Sequence, residues 1–364
     1  MAELTQDIRF CTTHDGKRIA YATLGSGPPL VKTANWLTHL EHDLVSPVWR
    51  PWLERLGRSH TVIRYDERGC GLSDRDVPDA DFDDWVADLE SVVNATGLDR
   101  FALLGLSQGG AVAIAYAALY PDRVTHLVLY GAYARGRVNR DSTPSEREEA
   151  ALLHKLIEIG WGKENPAFRQ VFTSFFIPEG GPEHYQWFND LQRLSATPEM
   201  ASRILSICDG VDVRALASRV HVPTLVLHAR EDARIPFEEG RLLAGLIPGA
   251  HFVPLDSRNH AILHTEPAWE QLQEVIGEFL GSEPAPPPTS GTATWLEEMT
   301  PREREVLEWV AGGHNNRTIA DHLHLSEKTI RNYVTRLFDK LGVNDRPQAI
   351  VRAREAGFGR RSTN

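Results

Sequence analysis

The sequence predicts an α/β fold: a doubly wound, mostly parallel sheet with a helical cap, followed by a small all-α domain. Three observations carry this. Short apolar runs alternate with stretches of helical periodicity through the first 280 residues. One run, Phe101–Leu106, opens directly into Ser107-Gln108-Gly109-Gly110 and the strong helix former Ala111–Leu119. A proline-rich stretch, Ser282–Thr292, then separates this body from a tail of short helices joined by tight turns.

Taken in order, Ile8–Phe10 and Ile19–Leu24 flank the turn Asp15-Gly16 and read as an opening hairpin. Leu30–Thr33 and Thr61–Tyr65 follow as strands. Phe82–Thr96 places Phe82, Trp85, Val86, Leu89, Val92 and Val93 on one helical face and stops at Gly97. Phe101–Leu106 and Val124–Tyr130 continue the sheet. From Ala134 to about Arg214 the strand signal ceases, and Trp161, Phe168, Phe172, Phe175, Phe176, Trp187 and Phe188 recur at helical spacing. This predicts an inserted cap at about 135–215, its aromatics serving as core against the body or as walls of a covered pocket. Strands resume at Thr224–His228 and Ala250–Leu255, and Pro267–Leu280 is a closing amphipathic helix. The expected division is 1–281 for the body, 282–295 for the linker and 296–364 for the tail.

Composition narrows the function classes. The 364 residues carry a net charge of −11, unevenly spread. From Glu297 onward 12 Lys and Arg face 10 Asp and Glu, which leaves 27 against 40 in the first 296 residues. An acidic body does not hold nucleic acid by bulk charge, so a DNA contact is expected only from the tail. The N-terminal residues show neither a basic nor an apolar leader segment, and no run approaches the ~20 apolar residues of a membrane span. Cys11, Cys70 and Cys208 are odd in number and lack metal spacing, which favours free thiols in a cytoplasmic protein. No membrane, metal or cofactor is expected.

The chemistry concentrates at Gly105-Leu106-Ser107-Gln108-Gly109. Between a strand and a helix, this spacing describes a serine on a sharp turn, with Gly105 and Gly109 bare because the turn crowds both flanks. The hydroxyl then stands at a helix N-terminus, whose amides favour a developing oxyanion. A serine nucleophile needs a base and a group to orient it. Asp232 follows one resumed strand and His260 follows the next, so the chain order is Ser107, Asp232, His260. Glu231 and His264 are the neighbouring alternatives for the acid and the base.

With these residues in view, positions 8–280 resemble the α/β-hydrolase superfamily, above all its proline iminopeptidase and haloperoxidase-like esterase members. The resemblance rests on Tyr65-Asp66-Glu67-Arg68-Gly69-Cys70-Gly71-Leu72-Ser73, on the serine turn, and on Asp232 four residues before Pro236. It implies oxyanion-binding amides from Trp36 and Gln108. One departure stands out: the usual His-Gly after the third strand is here Ala34-Asn35.

In the tail, Thr300, Pro301 and Glu303 form a helix-capping signature, and Gly312-Gly313 ends that helix. Thr318–Leu323 and Glu327–Leu341, joined through His324-Leu325-Ser326, read as a helix-turn-helix whose second helix can enter a major groove. Ile319, Leu323, Leu325, Ile330, Val334, Leu337 and Leu341 would lock the unit. The opposite face offers Lys328, Thr329, Arg331, Asn332, Thr335 and Arg336 to phosphates and base edges. A helical dimerisation module would share this pattern. Met299-Thr300-Pro301-Arg302-Glu303, Asn316–Ala320, Ser326–Ile330 and Lys340-Leu341-Gly342-Val343 are similar to the LuxR/FixJ-type signature, with Tyr333 where that family has His. This resemblance implies double-stranded DNA as a partner and a homodimer with Arg346–Ala356 at its interface.

The expectation is therefore a transcriptional regulator whose hydrolase-like domain binds, and can hydrolyse, a small ester, lactone or acyl ligand. Two alternatives stand beside it: a serine esterase or lactonase with an accessory DNA-binding domain, and a non-catalytic receptor on a hydrolase fold.

Overall fold

The computed structural model describes residues 4–77, 79–140, 143–282, 299–341, 343 and 346–359. They form two compact units, one built on a sheet and one wholly helical. The expected linker, from residue 283 onward, lies outside the described residues.

The first unit holds an eight-stranded sheet: β1 (Asp7–Thr12), β2 (Arg18–Gly25), β3 (Pro29–Lys32), β4 (Thr61–Tyr65), β5 (Phe101–Leu106), β6 (Val124–Tyr130), β7 (Thr224–Ala229) and β8 (His251–Leu255). Their order across the sheet is β1-β2-β4-β3-β5-β6-β7-β8. The hairpin of β1 and β2 joins antiparallel to β4, and every later pairing is parallel. All six residues of β5 and of β7 are buried, which explains their unbroken apolar character: strands covered on both faces have no polar side to alternate with. Because β3 to β8 run in one direction, the loops after β3, β5, β7 and β8 emerge on a single edge.

Helices cover both faces of the sheet. Phe82–Thr96 starts at an Asp81–Asp84 capping box and ends at Gly97, whose φ of +67° is the left-handed cap that glycine adopts without strain. Trp49–Gly57 and Phe237–Leu246 are two further helices that the strand-by-strand reading of the sequence passed over. Both are short, and each sits in a segment bounded by strands on either side.

Between β6 and β7 the chain forms the cap, with helices Pro144–Gly160, Ala167–Phe176, Pro182–Ser195 and Pro198–Gly210. Its two ends are stitched together by a bridge between Arg135 and Asp212, with Gly136 N donating to Val211 O at 2.7 Å and Val213 N to Ala134 O at 2.8 Å. The cap is thus an insertion that returns to its starting point, as the loss of strand signal implied. Trp161, Phe172, Phe176 and Phe188 are buried in it.

The second unit packs Pro301–Ala311, Asn316–Leu323, Glu327–Leu341 and Arg346–Glu355 around one core that includes Val306, Leu307, Ile319, Ile330, Leu337 and Leu341. Thr300 and Glu303 form the expected capping box. Glu303 also accepts from Lys340 Nζ at 2.7 Å, which ties the first helix to the third. Asn315 caps the second helix, and His324 leaves it in the left-handed region, φ +52°.

Candidate active site and nucleic-acid interface

Ser107 sits between the end of β5 and the helix Gln108–Leu119 with φ of +53°, a conformation that L-residues occupy at a cost and that tertiary structure must hold in place. Here the holding contacts are Ser107 N to Tyr130 O at 2.9 Å and Gly110 N to Ser107 O at 3.0 Å. The glycines act by space. A Cβ on Gly105 would lie 2.7 Å from Gly110 Cα, and one on Gly109 would lie 2.2 Å from Ala34 O and 2.4 Å from Thr33 Oγ1. The loop after β3 is therefore pressed directly against the serine turn, which leaves no room there for any side chain.

Asp232, on the loop after β7, has a fully buried carboxylate. Its Oδ1 accepts from the backbone N–H groups of Arg234 (2.8 Å) and Ile235 (2.9 Å), and its Oδ2 lies 2.7 Å from His260 Nδ1. Burial works against the charged form, but His260, His228 and the Ile235 amide outweigh it and hold the carboxyl below its ordinary range. His260 follows β8 and is fixed by its own loop. Glu266 accepts from Ser257 Oγ, Asn259 Nδ2 (2.8 Å) and Leu263 N, while Tyr130 Oη donates to His260 O at 2.6 Å. The rivals are placed elsewhere: the Glu231 side chain is 70% exposed beside Arg258, and His264 is exposed.

Ser107 and His260 line one narrow cavity together with Asn35, Trp36, Trp49, Leu106, Tyr130, Phe176, Phe188 and Ala261. Trp36 packs its ring against Phe172 and Phe176 in near-parallel stacks and meets Trp161 edge-on. Phe176 in turn meets His260 edge-on at 5.5 Å between centroids. Two cap aromatics, Phe176 and Phe188, are thus at once core and cavity wall.

Three contributors escaped the sequence reading. Gly110 gives way to Ala132, whose Cβ would be 2.3 Å from a side chain there. Gly131, φ +56°, makes room for the His260 ring, 2.9 Å from where a Cβ would stand. Glu67 is buried behind the serine turn and accepts a long, 3.5 Å hydrogen bond from Gln108 Nε2. The doubled glycine and the acidic residue inside an otherwise familiar motif were visible, but their partners come from distant segments.

In the helical unit, Lys328, Arg331, Asn332, Thr335 and Arg336 are exposed along Glu327–Leu341, opposite the buried Ile330, Val334, Leu337 and Leu341. Thr329 differs. It is half-buried, and its hydroxyl meets Ser326 Oγ at 2.8 Å, where Ser326 also caps the helix by accepting from Thr329 N. Arg331 is paired with Glu327 one turn back at 3.2 Å. Among the described residues, no helix is long and apolar enough to cross a membrane.

With this geometry in hand, comparison with known proteins is specific. The alpha/beta hydrolase fold family matches residues 41–155, and the luxR family of bacterial regulatory proteins matches residues 297–353. The AB hydrolase superfamily protein YisY of Bacillus subtilis is 27% identical over 260 residues, covering 71% of this chain and 94% of that protein. Pyrrolizixenacetamide deacetylase of Xenorhabdus hominickii is 27% identical over 275 residues, covering 74% and 97%. A thermophilic esterase from Thermogutta terrifontis matches with a TM-score of 0.60 at 27% identity, covering 75% of this chain and 98% of its own. The chain joins an α/β hydrolase-fold domain to a C-terminal helix-turn-helix domain of the bacterial luxR regulatory family.

Proposed function

We propose that this protein is a cytoplasmic, homodimeric transcriptional regulator that binds a small ester, lactone or related acyl compound in the Ser107 cavity and hydrolyses it. The observation that carries the reading is the 2.7 Å Asp232–His260 couple sharing a cavity with a serine held at positive φ. With Nδ1–H donated to Asp232, the other ring nitrogen of His260 is the acceptor that takes the Ser107 proton. Ser107 Oγ then adds to the ligand carbonyl, and the backbone amides of Trp36 and Gln108 receive the negative charge on its oxygen. His260 returns the proton to the departing alcohol, and water releases the acyl group by the same route. The names of the relatives, a deacetylase and an esterase, favour acyl chemistry of this kind.

The second half of the proposal is that Lys328, Arg331, Asn332, Thr335 and Arg336 meet DNA, with Thr329 setting the start of the helix, and that cavity occupancy changes DNA affinity. The test is intact-mass labelling with a fluorophosphonate, wild type against Ser107→Ala, followed by DNA binding of labelled and unlabelled protein. One adduct lost in the variant supports a live nucleophile. No adduct on folded wild type removes catalysis and leaves a receptor. DNA affinity identical in both labelling states removes the coupling.

A further inference from the structure

Lys32, the last residue of β3, is buried beneath the loop that faces Ser107. Its Nζ donates to Asn35 Oδ1 at 2.5 Å and to Thr33 O at 3.3 Å, and it stands 5.7 Å from the centre of the Trp49 ring. As an ammonium, Lys32 has hydrogens to give and no acceptor, which orients the carboxamide of Asn35 with Oδ1 toward Lys32 and Nδ2, with its two hydrogens, away from it. Among the described residues Nδ2 has no hydrogen-bond partner. Asn35 is 7% exposed and lines the cavity that holds Ser107 and His260. The next residue, Trp36, is 3% exposed, lines the same cavity, and its indole N–H is buried without an acceptor. Buried donors are ordinarily satisfied, so the Trp36 indole N–H calls for an acceptor, and the unpartnered Asn35 Nδ2 next to it in sequence, which keeps some exposure, can share one supplied from outside the chain. Leu106, Phe176, Phe188 and Ala261, in the same cavity wall, are apolar, and among the described residues the polar Ser107, Tyr130 and His260 make no hydrogen bond to Asn35 or Trp36.

We propose that Asn35 and Trp36 form a second oxygen-recognition subsite, in which the Asn35 Nδ2 hydrogens, oriented by Lys32, and the Trp36 indole N–H bind a ligand oxygen other than the reacting carbonyl. This rests on the reading of the Ser107 cavity as the ligand site and narrows its ligand class. The favoured ligands carry an ether, hydroxyl or keto oxygen close to the ester or lactone carbonyl. A purely aliphatic acyl chain of the same shape leaves both donors unpaired and is discriminated against. Asn35 stands where glycine is usual in the superfamily that the sequence resembles, so the subsite is a feature of this chain.

The test compares p-nitrophenyl methoxyacetate with p-nitrophenyl butyrate, which differ by one oxygen in place of a methylene. The full chain is assayed for kcat and KM with both esters, and the Ser107→Ala protein is titrated calorimetrically with the same pair. Comparing the preference ratio between proteins cancels the intrinsic reactivity of the esters. The expected result is a preference for the methoxyacetate that falls about tenfold in Asn35→Ala, the worth of one hydrogen bond, and appears in KM and in affinity. Asn35→Asp keeps the size and the Lys32 contact but offers acceptors in place of donors, and loses at least as much. Lys32→Met frees the carboxamide to turn and loses part of the preference. Turnover of both esters with the ratio unchanged in Asn35→Ala and Asn35→Asp overturns the subsite while the active-site reading stands. If wild type hydrolyses neither ester and Ser107→Ala binds neither, the cavity reading falls and the subsite with it.

Discussion

Glu67 offers a test of the site that needs no ligand. Its side chain is buried, one carboxyl oxygen has no partner, and the other receives only the 3.5 Å hydrogen bond from Gln108. The adjacent cation gives little help: the Arg68 guanidinium is already engaged by Asp88 at 2.6 Å and by Asp15 and Asp84 at 3.1 Å. Burial therefore dominates and pushes the Glu67 carboxyl from 4.5 up to about 8, with Asp88 adding to the rise and Gln108 and Arg68 opposing it. The folded chain keeps a proton on Glu67 in a pH range where the unfolded chain has lost it. The stability this contributes is present below pH 4.5 and is lost as pH climbs to about 8. At roughly 1.4 kcal/mol for each unit, the loss between pH 5 and pH 8 is about 3 kcal/mol.

Glu67→Gln removes the titration and keeps the shape and the acceptor for Gln108. Thermal unfolding followed by tryptophan fluorescence reports mainly the hydrolase domain, since seven of the nine tryptophans precede residue 282. The variant is expected to gain on wild type as pH rises, by about 2 °C for each kcal/mol, or about 6 °C between pH 5 and pH 8. Melting curves that shift in parallel for the two proteins across this range would refute the account of Glu67 as a buried, unpaired acid behind the serine turn.

Asp232→Asn should slow fluorophosphonate labelling of Ser107 by about a thousandfold or more, because the neutral amide no longer stabilises a charged His260. The Asp232 carboxyl is held below the ordinary range, so the stability it contributes is present above that range and disappears as pH falls through its folded value. The Asp232→Asn protein should accordingly lack that portion of the acid-side loss in an unfolding series between pH 5 and pH 2. Gly109→Ala should destabilise by about 2–4 kcal/mol in urea titrations, since its Cβ meets backbone at 2.2 Å. Gly277→Ala, in the helix Pro267–Leu280 with nothing within 4 Å of the added carbon, should instead stabilise by about 0.5–1 kcal/mol, and equal effects at the two glycines would contradict the packing described. On the helical unit, Arg336→Ala should lower the slope of log affinity against log salt by about one if the exposed arginine neutralises a DNA phosphate. An unchanged slope removes Arg336 from the interface.

Much of this was legible in the sequence wherever the determining forces are local. The Phe82–Thr96 helix and the Thr300–Glu303 capping box depend on residues within four positions of one another, and the structure has them where the spacing placed them. Buried parallel strands announce themselves as unbroken apolar runs for the same reason. Asp232 and His260 were singled out because chain order and a strand end constrain them, although their 2.7 Å meeting is a long-range event. Beyond reach were properties that exist only once distant segments pack. Gly131 carries no signal for the His260 ring it accommodates, 129 residues further on, whereas the Lys32–Asn35 contact is close in sequence and shows itself only through the burial of both side chains. Thr329 is a local feature that the polar face of the helix masked: Ser326, three residues earlier, takes its hydroxyl and caps the helix.

The placement of the cap gives the proposed coupling a physical basis within the hydrolase domain. The His260 loop is hydrogen-bonded to the cap at two points: Ala261 N donates to Phe176 O at 3.0 Å, and Glu179 N donates to Asn259 Oδ1 at 2.9 Å. Phe176 also stacks on Trp36 and meets the His260 ring. The residues that wall the cavity are therefore the residues that hold the base. A ligand that displaces Phe176 must act on the backbone around Ala261, while the Arg135–Asp212 bridge holds the two ends of the cap together. Close-packed interfaces of this kind repack between discrete arrangements more readily than they deform. Under the proposed function, a ligand's differential affinity for two cap arrangements sets the size of any signal it sends. Fluorophosphonate labelling of Ser107 with Phe176→Ala in the background separates the two roles: faster labelling with unchanged affinity for DNA would make Phe176 a gate alone, whereas altered DNA affinity before any ligand is added would make it part of the transmission.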